Sequence, residues 1–579
     1  MEKSEQGFSF KGLFVPLTTL KSIHWIIIAG LVVFSNMLFN GFVWDDITFI
    51  VNNQAVHSLN IPSLIGHNAI NTGGFYRPLA AIYSALIYTI FGENAFFYHF
   101  FSLVIHLINV SLVFILFKHF FSKRLSLFLS LIFLIHPIQV ETVSYISGAG
   151  DLLFFIFGIS ALVLSLKDNL SRKRLGLISL LLLLSILLKE TGFLFLLTVI
   201  FYKIIFKHKN IIPILISGSV ISLLYIAVRL GIGNADTAGH SGYAQIYSLP
   251  LIARAINIPE IINYYLRITV YPVNLAIGQQ WIVNSISFST FYFPLLIDLI
   301  FFGVIFLIGF LIRKNKKNFS TFLFFALMFL MGLSLHLQII PLDMTVSDRW
   351  FYFPFVGLLG MVGLVCALIK SINKKVRIFF YTVGLLVIVA LSTRTIVRNT
   401  NWTNNITLYA HDLKISDNAQ LEQNLGYEYY SQNNFEKFLY HTNRSIKLLA
   451  NESNFYNLAL FYQNNGDLKK AQQYYKEALT YDVYPKVGHR LIVTEIYQGL
   501  AWAYIYSGQF YEAKKTVEKA FSGGYTTGKL WEDLAISQYE LHDQINAFSS
   551  AEKAKNLLQN AEANYVYNQI LNNQPIVLK

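Results

Sequence analysis

Apolar runs, each long enough or nearly long enough to cross a bilayer, recur through the first 400 residues and then stop. A spanning helix needs about 20 apolar residues. Eleven such stretches are expected, near 22–39, 95–118, 125–138, 151–167, 175–188, 191–207, 211–230, 291–312, 319–340, 350–370 and 378–395. The chain is 54% hydrophobic and 13% charged, against about 25% charged in soluble proteins. The expected fold class is therefore all-α: a polytopic membrane bundle over 1–400, followed by a second domain over 401–579. The single cysteine, Cys366, allows no disulfide within the chain.

Charge orients the bundle. Residues 1–400 hold 29 Lys and Arg against 14 Asp and Glu, whereas 401–579 hold 16 against 18. The net charge of +13 thus belongs to the membrane half, and nucleic acid is not an expected partner. With the N-terminus inside, the segments 1–21, 118–124, 167–174, 203–209, 313–317 and 370–377 carry 21 of the 29 basic residues. Only Glu2, Glu5 and Asp168 are acidic there. That asymmetry fits a cytoplasmic N-terminus. The run 22–39 has no small-residue cleavage site after it and is expected to stay as the first span. An odd number of spans places the C-terminal domain outside. The apolar stretches 78–91 and 251–271 are expected to lie in the outer interface.

The C-terminal part repeats. Leu458-Ala459, Tyr462, Ala471, Tyr475 and Ala478 recur as Leu500-Ala501, Tyr504, Ala513, Val517 and Ala520, and again as Leu534-Ala535, Ala547, Ala551 and Ala554. Leu425-Gly426, Tyr429 and Phe438 form a degenerate copy. Spacings of 33, 42 and 34 residues match the tetratricopeptide period, with an insertion expected around 482–491. Stacked repeats of this kind offer a groove for a protein partner; a plain helical scaffold is the alternative.

Polar groups gather at the ends of the spans expected on the outer face. Asp45 and Asp46 follow the first span, and charge at that boundary is costly unless it has a function. His99 lies near the start of the second span. His136 and Glu141 flank the end of the third, and Asp151 opens the fourth. Lys189-Glu190 separates two apolar runs, and Asp348-Arg349 opens the tenth. His106 and Asn109 share a helix face and are expected to pair within the bundle. Arg77 and Arg349 are suited to an anion, because a guanidinium binds phosphate through two parallel bonds and keeps its charge.

Phe42-Val43-Trp44-Asp45-Asp46, Asn53, Tyr76-Arg77-Pro78-Leu79, Tyr98-His99, His136-Pro137-Ile138-Gln139-Val140-Glu141, Gly150-Asp151-Leu152-Leu153, Ser185 to Lys189-Glu190, and Asp348-Arg349 to Pro354 and Gly357 together resemble the TMTC proteins. These are transmembrane O-mannosyltransferases with C-terminal tetratricopeptide repeats. More distantly the membrane half resembles protein O-mannosyltransferases and the bacterial aminoarabinose transferase of lipid A, all of the GT-C class. The resemblance implies a polyprenyl-phosphate sugar donor and transfer of a mannose-like hexose, with inversion, to a hydroxyl. It implies Asp45 as general base with Asp46 beside it, and Arg349, Arg77, Lys189 and His136 around the donor phosphate. Glu141, Asp151, Glu190, Asp348 and His99 are expected to support the acceptor or the site. No cofactor is expected with certainty, and Asp45 and Asp46 could hold a divalent cation. The expected partners are the lipid-linked donor, the membrane and an acceptor protein held by the repeats. Two alternatives stand: a transferase acting on a lipid or glycan, and a non-catalytic scaffold or transporter. The polar groups cluster at one face and 1–400 shows no internal repeat, which disfavours a transporter.

Overall fold

A computed structural model describes residues 17–66, 77–167, 170–207, 211–232, 243–369, 373–481 and 487–577. Tyr76, Asp168, Glu2, Glu5 and the first part of the insertion expected at 482–491 lie outside the described residues. The described chain is helical. Among these residues no strand forms, and Gln279 and Val346 make an isolated antiparallel bridge.

Among the described residues, eight helices are long and apolar enough to cross a bilayer: Thr19–Phe39, Ala95–Phe120, Ile146–Ser165, Ile211–Gly231, Phe288–Ile312, Lys316–Ser334, Asp348–Leu368 and Lys375–Asn401. A ninth is reached if Lys123–Ile135 and Pro137–Ser144, bent by 53°, count as one. The bend falls where His136 turns extended before Pro137, which has no N–H to continue the helix. The expected spans 175–188 and 191–207 are helices too, Arg172–Leu188 and Phe193–Ile205, but with 17 and 13 residues. At about 1.5 Å per residue the shorter covers only about 20 Å of a roughly 30 Å hydrocarbon core. The stretches expected at the interface form the helices Pro78–Phe91 and Leu251–Val270.

Lipid offers no hydrophobic drive between helices, so close packing and hydrogen bonds must hold the bundle. A Cβ on Gly357 would sit 2.5 Å from the Phe329 backbone nitrogen, which shows how closely Tyr352–Leu368 lies on Lys316–Ser334. The His106–Asn109 face pairs inside the bundle as expected. His106 Nδ1 lies 2.9 Å from the Tyr352 hydroxyl, and Asn109 Nδ2 donates to the Leu152 carbonyl at 3.0 Å and to Tyr352 at 3.3 Å.

The boundary between the two compact units falls at Asp417/Asn418, not 400/401. The helix Asn405–Asp412 stays with the membrane unit because Asp412 is buried there. Its carboxylate accepts from Arg398 at 2.7 and 3.0 Å and from the Ile277 backbone N–H at 2.7 Å. Past it, among the described residues, four packed helix pairs follow: Ala419–Ser431 with Phe435–Leu448, Glu452–Asn464 with Leu468–Thr480, Val487–Tyr506 with Phe510–Ser522, and Gly528–Glu540 with Gln544–Leu558. Ala561–Leu571 ends the stack. The small residues of the repeat lie where helices touch: Ala459, Ala471, Ala478, Ala501, Ala513, Ala535 and Ala547 are all fully buried. The insertion emerges partly as helix, since Val487–Tyr506 has 20 residues where Glu452–Asn464 has 13.

Candidate active site

Asp45 and Asp46 leave the first span in a turn that the surrounding structure holds firmly. Trp44 sits at φ +53°, a left-handed conformation that costs a side chain about 1–3 kcal/mol unless its neighbours impose it. Here they do. The Trp44 N–H donates to Asn405 Oδ1 at 2.8 Å, and the Gly41 N–H donates to the Thr403 carbonyl at 3.0 Å. The indole lies against Gly278, at φ +61°, where any Cβ would meet the ring at 2.0 Å. Only glycine fits both that backbone and that contact.

The turn gives the two carboxyls different surroundings. Asp46 is fully buried; it accepts from the Val43 N–H at 3.1 Å and from the Ser147 N–H at 2.7 Å. Burial pushes its carboxyl up to about 7. Both oxygens are used by backbone, so Asp46 shapes the turn. Asp45 is half-buried and accepts from the Tyr145 hydroxyl at 2.7 Å. Burial pushes its carboxyl up to about 6, while Tyr145 and the Arg349 charge pull the other way. A carboxyl in that range is suited to accept a proton near neutral pH.

Tyr145 connects Asp45 to Arg349, whose guanidinium lies 5.3 Å from the Tyr145 ring centroid. Glu141 fixes the arginine. It is 2% exposed; one oxygen accepts from Arg349 Nη1 at 2.9 Å and the Ser347 hydroxyl at 2.6 Å, the other from the Asp348 N–H at 2.9 Å. Asp348 points away and accepts from the Tyr264 hydroxyl at 2.5 Å. Glu141 thus braces the Asp348–Phe351 turn, and Asp348 ties that turn to Tyr264 on the helix Leu251–Val270.

Asp151 continues the network. It pairs with Lys189 and lies 3.7 Å from Arg349 Nε. Lys189 is brought there where the helix Arg172–Leu188 ends, in extended backbone. Burial lowers the Lys189 ammonium below its usual range, and the nearby Arg77 and Arg349 add to this against Asp151. Arg77 caps Pro78–Phe91 and reaches Glu190 at 3.4 Å; both are part-exposed, at 26% and 36%. Arg349, Lys189 and Arg77 therefore form one cationic cluster, each held by a carboxylate.

Two expected residues stand apart from it. His136 is buried, with Nε2 3.0 Å from the Thr269 carbonyl and Nδ1 accepting from the Ile138 N–H. Nδ1 serves the bend and Nε2 ties it to the helix Leu251–Val270, so both nitrogens are engaged by backbone. His99 is buried beside the Asn40-Gly41 backbone. Among the described residues no group of three or more His, Cys, Asp or Glu could hold a metal ion. Asp46 spends its oxygens on N–H groups, so the pair does not present a joint ligand set.

Sequence reading missed Tyr145, Ser347 and Asp343. Asp343, half-buried, is close enough for its charge to act on both Asp45 and Arg349. Tyr145 was the one with a signal, an aromatic hydroxyl midway between Glu141 and Asp151.

Residues 77–231 match the model of the dolichyl-phosphate-mannose-protein mannosyltransferase family, and 453–482 and 494–522 match tetratricopeptide repeats. The first match takes in Arg77, His136, Glu141, Asp151, Lys189 and Glu190. The chain is 24% identical over 509 residues to Protein O-mannosyl-transferase TMTC3 of Homo sapiens, covering 79% of this chain and 55% of that protein. It is 24% identical over 437 residues to Protein O-mannosyl-transferase F38B6.6 of Caenorhabditis elegans, covering 70% and 60%. The chain thus spans between half and two thirds of the length of these curated relatives. Over most of its own length it is an integral membrane protein similar to the TMTC proteins, with a mannosyltransferase-type membrane segment followed by tetratricopeptide repeats.

Proposed function

We propose that the chain is a GT-C glycosyltransferase that moves a mannose-like hexose from a polyprenyl-phosphate donor to a Ser or Thr hydroxyl of a protein, with inversion. The observation that carries the reading is the shared ring of Tyr145: its hydroxyl holds a half-buried carboxyl, Asp45, and its face lies under a half-buried arginine, Arg349. A base and an anion site on one side chain suit a displacement in which a hydroxyl attacks and a phosphate departs. The acceptor oxygen bonds to the anomeric carbon as the bond from that carbon to the phosphate oxygen breaks. The acceptor proton passes to Asp45. The bonding pair leaves with the lipid phosphate, whose growing charge meets Arg349, Lys189 and Arg77. Fixed charges aimed at charge that develops are the strongest contributors in such sites. Phosphate is a good leaving group without an acid, so one catalytic carboxylate can suffice.

The reading takes the N-terminus as cytoplasmic, on the distribution of basic residues, and the site and the repeats as outside, which requires an odd number of spans. The repeats are read as the acceptor-recruiting part, raising the local acceptor concentration at a tethered site. The printed names of the relatives, protein O-mannosyl-transferases, support the protein acceptor.

The test is transfer from a purified polyprenyl-phosphate mannose, measured beside donor affinity. Asp45→Asn keeps shape and removes basicity, so turnover should fall by about 10²–10⁴-fold with donor binding nearly unchanged. Arg349→Ala should weaken donor binding as well as turnover. Full activity in the Asp45→Asn variant would sink the mechanism.

A further inference from the structure

The membrane unit contains a cavity of 580 Å³ that the transfer mechanism does not use. Its walls include Glu260, Tyr264, Arg267, Gln279, Trp281 and Asn284. Pockets of about 300–1,000 Å³ are the size that takes small ligands. We propose that this cavity is a second, non-reacting subsite for a neutral saccharide of one or two residues.

The lining sets the ligand class. Glu260 and Arg267, on the one helix Leu251–Val270, are the charged residues of the described walls, so the walls carry no net charge. A phosphate is met better by several cations together, as at Arg349, Lys189 and Arg77, whereas the described walls here include Arg267 alone. Carboxamides and hydroxyls supply the rest of the polar wall, and these donate and accept together, as sugar hydroxyls do. Trp281 is half-buried and donates from Nε1 to Gln279 Oε1 at 3.1 Å. That bond fixes its rim and leaves ring surface for the apolar face of a pyranose, the use to which an amphipathic aromatic is suited. Part of the wall's backbone is already engaged, which leaves less of it for an extended peptide: the Thr345 N–H donates to the Gln279 carbonyl at 2.9 Å, the Thr345 hydroxyl to the Trp281 carbonyl at 2.5 Å, and the Val283 N–H to Asn257 Oδ1 at 2.6 Å.

The subsite also adjoins the active site through one side chain. Gln279 Nε2 donates to the Tyr264 hydroxyl at 2.7 Å, and Tyr264 donates to Asp348 at 2.5 Å. Asp348 neighbours Arg349 on the turn that Glu141 holds. A saccharide on the Tyr264 wall is two hydrogen bonds from the backbone that positions the arginine. The source of the sugar is an acceptor already glycosylated nearby, or a free glycan; the chemistry is the same.

Binding is read without transfer, so its failure leaves the transferase reading standing, and the reverse. The full chain in nanodiscs is titrated calorimetrically with mannobiose, mannose 6-phosphate, a Ser/Thr-rich peptide, and the same peptide carrying one mannose. Mannobiose should bind saturably. Trp281→Ala and the cavity-filling Ser289→Trp should each weaken it at least about tenfold, which is about 1.4 kcal/mol. Asp45→Asn should leave it unchanged. Tighter binding of the glycopeptide than of mannobiose assigns the sugar to the acceptor, and equal binding to a free glycan. No saturable binding of mannobiose, binding that both cavity variants leave intact, or preference for the phosphate or the bare peptide would each overturn the proposal.

Discussion

Tyr145→Phe isolates the contact on which the proposed chemistry turns. The substitution removes one atom, the hydroxyl that donates to Asp45 at 2.7 Å. The ring that lies under Arg349 stays. A hydrogen bond to a charged acceptor contributes about 1.5–3 kcal/mol, and one pKa unit corresponds to about 1.4 kcal/mol. The Asp45 carboxyl, pushed up to about 6 by burial in spite of Tyr145, should therefore rise by about one to two units more. A base works only when ionised, so the wild-type rate should climb with pH through about 6 and level off above it. In the variant the climb should move to about pH 7–8. At pH 6 the ionised fraction falls from about a half to about 1–10%, a loss of about 5- to 50-fold in kcat/KM. Near pH 9 the two proteins should converge. The assay is kcat/KM for transfer from pH 5 to 9, with donor affinity measured at each end. A profile that keeps its midpoint would show that Asp45 is not the group titrating in the rate. A uniform loss at every pH would show that Tyr145 acts by something other than setting that carboxyl.

Three further outcomes follow from the packing. Glu141→Ala takes from Arg349, whose side chain is 13% exposed, its nearest partner and leaves Asp151 3.7 Å away; the cost should stay below the roughly 3–5 kcal/mol of a fully buried broken pair, donor affinity and the melting temperature should fall together, and an unchanged donor affinity would remove Arg349 from the phosphate site. Asp412→Asn breaks the buried pair with Arg398; it should lower the melting temperature of the membrane unit with a cost of the same order, about 3–5 kcal/mol, and should leave the helices past Asn418 unaffected by hydrogen exchange. Gly499→Ala forces a Cβ to 2.3 Å from the Tyr475 ring; overpacking of about 1–3 kcal/mol should speed exchange in the third repeat, and an unchanged rate would mean that the ring has room to move.

Much of this protein was legible in the sequence, for physical reasons that differ between its parts. Apolar runs announce spans because lipid admits only helices with satisfied backbones, and the described helices lie where the runs lie. The 34-residue period announces the repeats because Ala or Gly must sit wherever two helices touch. The charged residues of the site were found because charge near a membrane needs a reason. Asp45, Arg349, Asp151 and Lys189 do come together.

What each carboxylate does was decided only by tertiary structure. Asp45 was expected as the base with Asp46 beside it and Glu141 and Asp348 in support; in the structure those three bind backbone or buried partners, and Asp45 stays half-buried under a tyrosine hydroxyl. His136 read as a phosphate ligand, and the bend at Pro137 turned both its nitrogens to backbone. The domain boundary moved from 400 to 417 because Arg398 and Asp412, 14 residues apart, form a buried pair that apolar periodicity does not register. Hydropathy is a property of a segment, whereas a carboxylate's role depends on which donors reach it, and in this bundle those donors come from spans far apart in the chain. Glu141 meets Ser347 and Arg349 across 206 and 208 positions, a distance over which no local pattern in the sequence carries information.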